Sequence, residues 1–250
     1  MRTAVIYDVH GNLPALEAVL EEISREGAEH LVVGGDVLPG PMPGETLDRL
    51  LGLDMPVTFI RGNGDRVVLQ YVQGAEITEV PEQFRDVIRW TGQQLHAGHR
   101  EAVLGWPPTC RASVPELGNV LFCHATPRND FEIFTRKTPE ERLAPMFEHV
   151  QADLVVCGHT HMQFDRTVNG VRIVNAGSTG LPFCQPAGAY WLLLGPAVEF
   201  RRTSYDFNAA AERIRSTGYP QAEALAVRYV LDPPSEAETL ELFSRADRGS

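Results

Sequence analysis

Ala4-Val5-Ile6-Tyr7-Asp8-Val9-His10-Gly11-Asn12 decides how the rest of the chain is read. A short apolar run of the kind that forms a buried strand stops at Asp8-Val9-His10, and on an extended backbone the skipped residue sets carboxylate and imidazole on the same side. Asp and His also form turns at strand ends, so the pair gains its meaning from repetition. Leu31-Val32-Val33-Gly34-Gly35 runs into Asp36, and Val57-Thr58-Phe59-Ile60 into Asn63. Val120-Leu121-Phe122-Cys123 runs into His124, and Leu154-Val155-Val156-Cys157-Gly158 into His159-Thr160-His161. Each of the five runs ends in a residue able to bind a metal.

The intervening segments give the order of elements. Asn12 suits a helix cap and Pro14 a first turn, with Leu13, Leu16, Val19, Leu20 and Ile23 at helical spacing. Strand, helix, strand predict a parallel pair, a helix from Glu45 to Leu53 and a third strand at Val57 to Ile60 follow, and the whole order suggests a mixed sheet or two stacked sheets with helices outside. Arg66 to His99 reads as helical, and Pro107-Pro108 ends that pattern. Two strands between Cys110 and Cys123 are joined by a turn at Pro115 to Asn119. A helix near Pro139 to His149 precedes the fifth run. Asn169-Gly170 marks a hairpin between Gln163–Val168 and Val171–Val174. A last hairpin pairs Ala189–Leu194 with Val198–Arg202. Beyond Tyr205-Asp206 the chain becomes alanine-rich, with helices expected over about 208–216, 220–230 and 235–245. That tail reads as a surface for packing or for homo-oligomer formation.

The 250 residues can bury one sizeable core, and 43% hydrophobic with 22% charged residues is the balance of an ordinary globular protein. One domain over 1–250 is expected, with 206–250 as a helical extension packed on or beside it. No apolar stretch approaches the ~20 residues that cross a bilayer, and no basic segment followed by an apolar signal region opens the chain. The expectation is a cytoplasmic protein with no membrane partner. Cys110, Cys123, Cys157 and Cys184 show no C-x-x-C spacing and read as reduced thiols. A net charge of −11 repels phosphate backbones, which disfavours long nucleic acid. A small anionic substrate remains compatible, because bound cations reverse the local field.

Seven residues stand out as ligands: Asp8, His10, Asp36, Asn63, His124, His159 and His161. Open α/β sheets gather such residues at the carboxyl ends of their strands. Imidazole, carboxylate and amide oxygen together suit Mn first, with Fe, Zn or Ni as alternatives. Seven ligands exceed the needs of one ion, whereas two divalent ions sharing Asp36 use them all. His30, His96, His99 and His149 fall outside these positions and read as surface or helix residues.

Here the chain resembles the calcineurin-like metallophosphoesterases, whose motifs occur in order. They are Asp8-Val9-His10, Gly35-Asp36, Gly62-Asn63-Gly64-Asp65, Cys123-His124 and Gly158-His159-Thr160-His161, followed by Asn175-Ala176-Gly177-Ser178. The lead-in through Leu16 and the helical tail look like a small bacterial branch labelled phosphatase-like or diadenosine-tetraphosphatase-related. The resemblance implies an α/β (α+β) fold, a four-layer αββα sandwich of two mixed sheets flanked by helices. It also implies two metal sites, one holding Asp8, His10, Asp36 and His161, the other Asp36, Asn63, His124 and His159. A metal-bridging hydroxide would then hydrolyse phosphate mono- or diesters, with Asp36, Asn63 and His124 as catalytic residues. The alternatives within the same resemblance are a nucleotide pyrophosphatase, a protein phosphatase, or a non-catalytic scaffold.

Two departures from the family pattern bear on substrate. Gly64 stands where many members carry a histidine that protonates the leaving group, and Asp65, which would orient that histidine, is left as a helix cap. Phe183 lies where relatives often carry a phosphate-binding arginine. Asn12, Arg61 and Arg128 are the candidate substrate contacts, the two arginines because they could replace the lost charge. Ser178 lacks the spacing of a nucleophile elbow and reads as a turn residue.

Overall fold

The computed structural model of the protein describes residues 2–78 and 80–246, so 247–250, the end of the expected helical extension, lie outside it. The chain opens with β1 (Thr3–Ile6), α1 (Leu13–Arg25), β2 (His30–Val33), α2 (Pro43–Leu51) and β3 (Val57–Phe59). α3 (Asn63–Val72), α4 (Glu82–Gln94) and α5 (Ala97–Leu104) follow, then β4 (Thr109–Val114), β5 (Gly118–Cys123) and α6 (Glu140–Leu143). β6 (Leu154–Cys157), β7 (Gln163–Val168), β8 (Val171–Ala176), β9 (Ala189–Leu194) and β10 (Val198–Thr203) complete the strands. The tail comprises α7 (Phe207–Arg215), α8 (Ala222–Leu225), a π-helical turn Ala226–Leu231 and α9 (Glu236–Ala246).

The strands form two five-stranded mixed sheets, ordered β10-β9-β1-β2-β3 and β4-β5-β6-β8-β7. β1, β2 and β3 run parallel, as do β5, β6 and β8, and antiparallel strands complete each sheet. Near-continuous apolar strands are what a sheet covered on both faces demands, because alternate residues enter different layers. Val5, Val32, Val120, Phe122, Val156 and Leu192 meet between the sheets. Ala4, Ile6, Leu31, Val33 and Trp191 face the helices outside the first sheet, and Leu121, Val155 and Cys157 pack under Phe134 and Phe147 outside the second. The expected αββα sandwich is therefore present. Tyr7 also crosses the inter-sheet space, its hydroxyl donating to the Val156 carbonyl at 2.9 Å.

Local chemistry moves some helix boundaries. The single helical stretch expected over Arg66 to His99 is three helices. Gly74, at φ +85, ends the first, because a left-handed residue cannot continue a right-handed helix. Leu95 is extended, and His96 then caps α5 by accepting the His99 N–H at 3.2 Å. The helix expected over Pro139 to His149 shrinks to α6 and a 3₁₀ turn, Ala144–Met146, since Pro145 lacks the donor a longer helix needs. Asn169 and Gly170, both at positive φ, make the two-residue turn between β7 and β8. No helix among the described residues is long and apolar enough to cross a membrane.

The tail packs into the main core. Ala210, Ala211, Ile214, Leu225, Ala226 and Val230 are buried in the same cluster as α1 and the outer face of the first sheet. Paired small alanines let α7 approach closely, so the alanine-rich texture serves packing against the main core. Fully burying Ile214, Leu225 and Val230 contributes roughly 1.5–3 kcal/mol each, a large share of a typical domain stability of about 5–15 kcal/mol. A chain ending at Thr203 should therefore lose its cooperative thermal transition, as measured by scanning calorimetry, and an intact transition would show the tail to be an appendage.

Candidate metal centre

All seven ligand candidates follow the carboxyl ends of parallel strands. Asp8 and His10 lie beyond β1, Asp36 beyond β2, Asn63 at the start of α3 after β3, His124 beyond β5, and His159 and His161 beyond β6. The backbone there is not extended, which corrects the geometric reading of Asp8-Val9-His10. Asp8, His10, Asp36, His159 and His161 have φ of +53, +46, +50, +66 and +57. Left-handed conformation is rare for residues with a Cβ and costs roughly 1–2 kcal/mol each. Side chains converge because successive residues turn back on themselves, and neighbouring loops hold the turns. The Asp8 N–H donates to Gly35 O at 3.0 Å, His10 N–H to Asp36 O at 3.0 Å, and Gly180 N–H to Asp8 O at 3.0 Å.

The two aspartates are handled alike. Asp8 Oδ2 accepts the His159 N–H at 2.9 Å, and Asp36 Oδ1 accepts the Gly64 N–H at 2.7 Å. Their other oxygens face imidazoles. Asp8 Oδ1 lies 3.5 Å from His161 Nε2, 3.8 Å from His124 Nε2 and 4.0 Å from His10 Nε2, and is buried with no hydrogen-bond partner. Asp36 Oδ2 sits between His124 Nε2 at 3.5 Å and His10 Nε2 at 3.7 Å.

Each imidazole is aimed by its other nitrogen, which donates to a backbone carbonyl. His10 Nδ1 reaches Pro39 O at 3.3 Å, His161 Nδ1 Leu181 O at 2.6 Å, His124 Nδ1 Gly34 O at 3.0 Å and His159 Nε2 Phe131 O at 3.2 Å. That arrangement fixes the tautomer and presents the remaining lone pair inward, as in metal sites. His10 Nε2 and His161 Nε2 consequently face each other at 3.3 Å, and the Asn63 side-chain amide donates to His124 Nε2 at 3.1 Å and His159 Nδ1 at 3.0 Å. Lone pairs that converge around an unpartnered carboxylate oxygen fit a divalent cation, and the N/O donor set fits Mn, Fe, Zn or Ni. Asp8, His10 and His161 form one compact group and Asp36, His124 and His159 another, the ligand atoms of each within 4.8 Å of one another.

The electrostatics express the same tension. Burial opposes charge on Asp36, but His124 and His10 outweigh it and hold the carboxyl well below its usual range. Burial likewise opposes charge on His124, yet Asp36 and Asp8 push it up to about 10. Burial, then the neighbouring His124, lowers His159 to about 4.

Several residues play parts other than those the sequence suggests. Asp65 caps α3 by accepting the Gly62 N–H at 3.0 Å, but it also accepts from the N–H of Asp36 at 2.8 Å and Leu38 at 2.9 Å. It is buried and ties the loop after β2 to the loop after β3, a role signalled only by its place in the Gly62-Asn63-Gly64-Asp65 run. Asn175 holds the histidine loop through Gly158 O at 2.6 Å and Thr160 Oγ1 at 3.1 Å, and Ser178 Oγ donates to Asp8 O at 2.7 Å. Asn12 is fully buried, capping α1 and donating to Gly180 O at 2.9 Å. Arg128 pairs with Glu132 on the surface. Neither arginine nor Asn12 lines the cleft beside the centre, whereas Arg66 does, held by Asp130 at 2.7 and 3.1 Å. His99 is buried and bonded to Asp48 at 2.8 Å, tying α5 to α2 away from the centre.

Gly64 is a packing requirement as well as a missing acid. A Cβ there would collide with the Leu38 carbonyl oxygen and come within 2.9 Å of the Pro39 ring and 3.1 Å of Asp36 Oδ1. Gly64→His should therefore lower metal content and stability instead of supplying a proton donor, as read by metal analysis and thermal unfolding. A gain of activity with intact metal content would contradict this.

In the metal-free protein the folded-state value of His124, about 10, lies above the ordinary 6.5. Its contribution is complete below about pH 6.5 and is lost as pH rises toward 10. Since a ligand must present a lone pair, a cation at this group displaces that proton. Metal-free protein should lose stability between about pH 7 and 8.5, while divalent cation binding tightens and releases a proton. Titration calorimetry in two buffers of different protonation enthalpy measures the release, and proton-neutral, pH-independent binding would remove His124 from the ligand set.

The family model described as the calcineurin-like phosphoesterase superfamily domain matches residues 1–194. Among relatives, an uncharacterized protein of Methanocaldococcus jannaschii is 26% identical over 238 residues, 87% of this chain and 93% of that protein. The phosphodiesterase YfcE of Escherichia coli K12 is 37% identical over 87 residues, 31% of this chain and 47% of that one. A solved metallophosphoesterase from Sphaerobacter thermophilus is similar with TM-score 0.72 and 26% identity, covering 91% of this chain and 97% of its own. A hypothetical protein from Pyrococcus horikoshii shares the fold with TM-score 0.76 and 21% identity, covering 94% and 99%. The matched region contains the two sheets' shared core and all seven gathered residues, and the chain belongs to the calcineurin-like phosphoesterase superfamily.

Proposed function

We propose that the protein is a dinuclear metal-dependent hydrolase of small phosphate mono- or diesters. The observation that carries this reading is the position of Asp36 Oδ2, between His124 at 3.5 Å and His10 at 3.7 Å, where one oxygen serves both ligand groups. Asp8, His10, Asp36 and His161 would hold one ion, and Asp36, Asn63, His124 and His159 the other. When bound, such a pair supplies Lewis acidity toward a phosphoryl oxygen and a nucleophile derived from water.

The chain's own residues set the rest. The Gly64 N–H fixes Asp36 Oδ1, leaving the second oxygen free for shared use. Asp65 holds the Asp36 backbone so that this orientation persists. Beyond the ligands, no imidazole or carboxyl among the described residues lines the cleft to protonate a leaving oxygen. Arg66 is engaged by Asp130, and burial pushes the Tyr219 hydroxyl well above its usual value. The reaction therefore favours esters whose alcohol leaves readily as an anion. The net charge of −11 further favours a small substrate over long nucleic acid.

Asp36→Ala should lose both ions and all hydrolysis, whereas Asn63→Ala should weaken one ion and reduce turnover. Metal per chain and hydrolysis of an aryl phosphate diester and monoester test this, and full activity in metal-depleted Asp36→Ala would refute it. Across an aryl series, log kcat should fall steeply as the pKa of the leaving group rises, whereas a flat plot would reveal an acid after all.

A further inference from the structure

The ligand cluster opens into a cleft of about 730 Å³ that is far more apolar than a phosphate requires. The volume falls in the range of small-molecule sites. One end is lined by His10, Asp36 and Asn63, and the cleft runs outward between α4 and the tail. Phe84 and Ile88 of α4 form one wall, Leu225 and Tyr229 of the tail the other. Phe183 stands at the junction, its ring stacked on His161 with centroids 4.3 Å apart and 5.6 Å from Tyr229. The Gln221 amide donates to the Gln83 carbonyl at 2.8 Å, fastening the tail to α4.

We infer that this cleft binds the ester group of the substrate, and that this group is an extended, uncharged alkyl or aryl moiety instead of a nucleoside or a second phosphate. The inference rests on the phosphoesterase reading for the position of the phosphate, and on the walls for the rest. A second phosphate would need a cation, and among the described residues the arginine that lines the cleft, Arg66, is already held by Asp130 through two hydrogen bonds. A nucleoside would need donors and acceptors for its ribose hydroxyls and base edge, since polar groups transferred without partners bind poorly. The Gln221 NH2 is bonded to the backbone of α4, which leaves, among the described residues, two tyrosine hydroxyls, of Tyr219 and Tyr229, as the polar tips of otherwise apolar walls, fewer than a ribose and a base edge together require. Phe84 is 46% exposed, a large apolar side chain lining the cleft. An apolar chain entering there removes that surface from water. Gly64 and Phe183 belong to the same device, because the positions expected to carry a histidine and an arginine present no charge to the cleft.

The test uses the full chain loaded with Mn and a series of n-alkylphosphonates from methyl to octyl, which cannot be hydrolysed. Burial of each added methylene should tighten binding roughly fourfold until the cleft is filled. Adenosine 5′-monophosphate should bind no better than methylphosphonate, and phenylphosphonate should fall with the alkyl series. Phe84→Asp should cut the octyl-to-methyl affinity ratio at least tenfold, while Phe200→Asp, on β10 and outside the cleft, should leave it unchanged. Calorimetry reads the affinities, and hydrolysis of an aryl phosphate diester is measured on the same preparation. A flat alkyl series, or a nucleotide that binds more tightly than octylphosphonate, overturns the inference even if the diester is hydrolysed. A steep series without hydrolysis leaves the apolar site standing and removes the phosphoesterase reading.

Discussion

Two carboxylates, Asp8 and Asp36, are buried beside one another at the ends of neighbouring parallel strands, and the surrounding structure answers the cost of that burial. An isolated buried carboxylate is prohibitively unfavourable, so each is given a backbone N–H on one oxygen and a set of imidazoles on the other. The imidazoles are in turn aimed by carbonyls. Asp65 completes the frame by gathering three N–H groups from two loops into one buried acceptor, with burial and the nearby Asp36 pushing its carboxyl up to about 7. Asp8 Oδ1 is buried without a hydrogen-bond partner, and it is the oxygen around which three imidazole nitrogens converge. A cation there would satisfy the oxygen and the lone pairs together.

That frame depends on close backbone approach. Gly35, at φ +92, brings the loop after β2 so near the loop after β3 that a Cβ would sit 2.5 Å from the Gly62 nitrogen and 2.9 Å from His124 Nδ1. Gly64 allows the same approach one step along. The absence of a histidine at this position therefore has a steric side: the loop that carries Asp36 occupies the room a side chain would need. The chemical consequence follows from the packing, since no histidine or carboxyl beyond the gathered ligands lines the cleft among the described residues and the adjoining wall is apolar.

The tail joins the two features. Its alanines and its buried Ile214, Leu225 and Val230 extend the main core, which positions α8 and the π-helical turn opposite α4. Leu225 and Tyr229 can then serve at once as core and cleft residues. Core packing and the lining of the cleft thus share one segment, whereas the gathered carboxylates and imidazoles lie wholly within the sandwich.

The sequence by itself determined the layers and the donors. Near-continuous apolar runs at β1, β2, β5 and β6 read as buried strands, the family resemblance arranged them in four layers, and each ended in a residue whose side chain is able to bind a cation. These are local properties, readable because burial pattern and residue type need no knowledge of distant chain. It misassigned what depends on neighbours. Asp8 and His10 converge through left-handed turns held by hydrogen bonds to the loop after β2, not through strand alternation. Asp65 is the helix cap it looked like, but its further role was hidden because its partners Asp36 and Leu38 lie 29 and 27 residues away. Asn12 and Arg128 looked available until the fold supplied Gly180 and Glu132 as partners. The apolar cleft was decided by tertiary structure alone, because its walls come from α4 and the tail, which are brought together only when both pack on the same sheet.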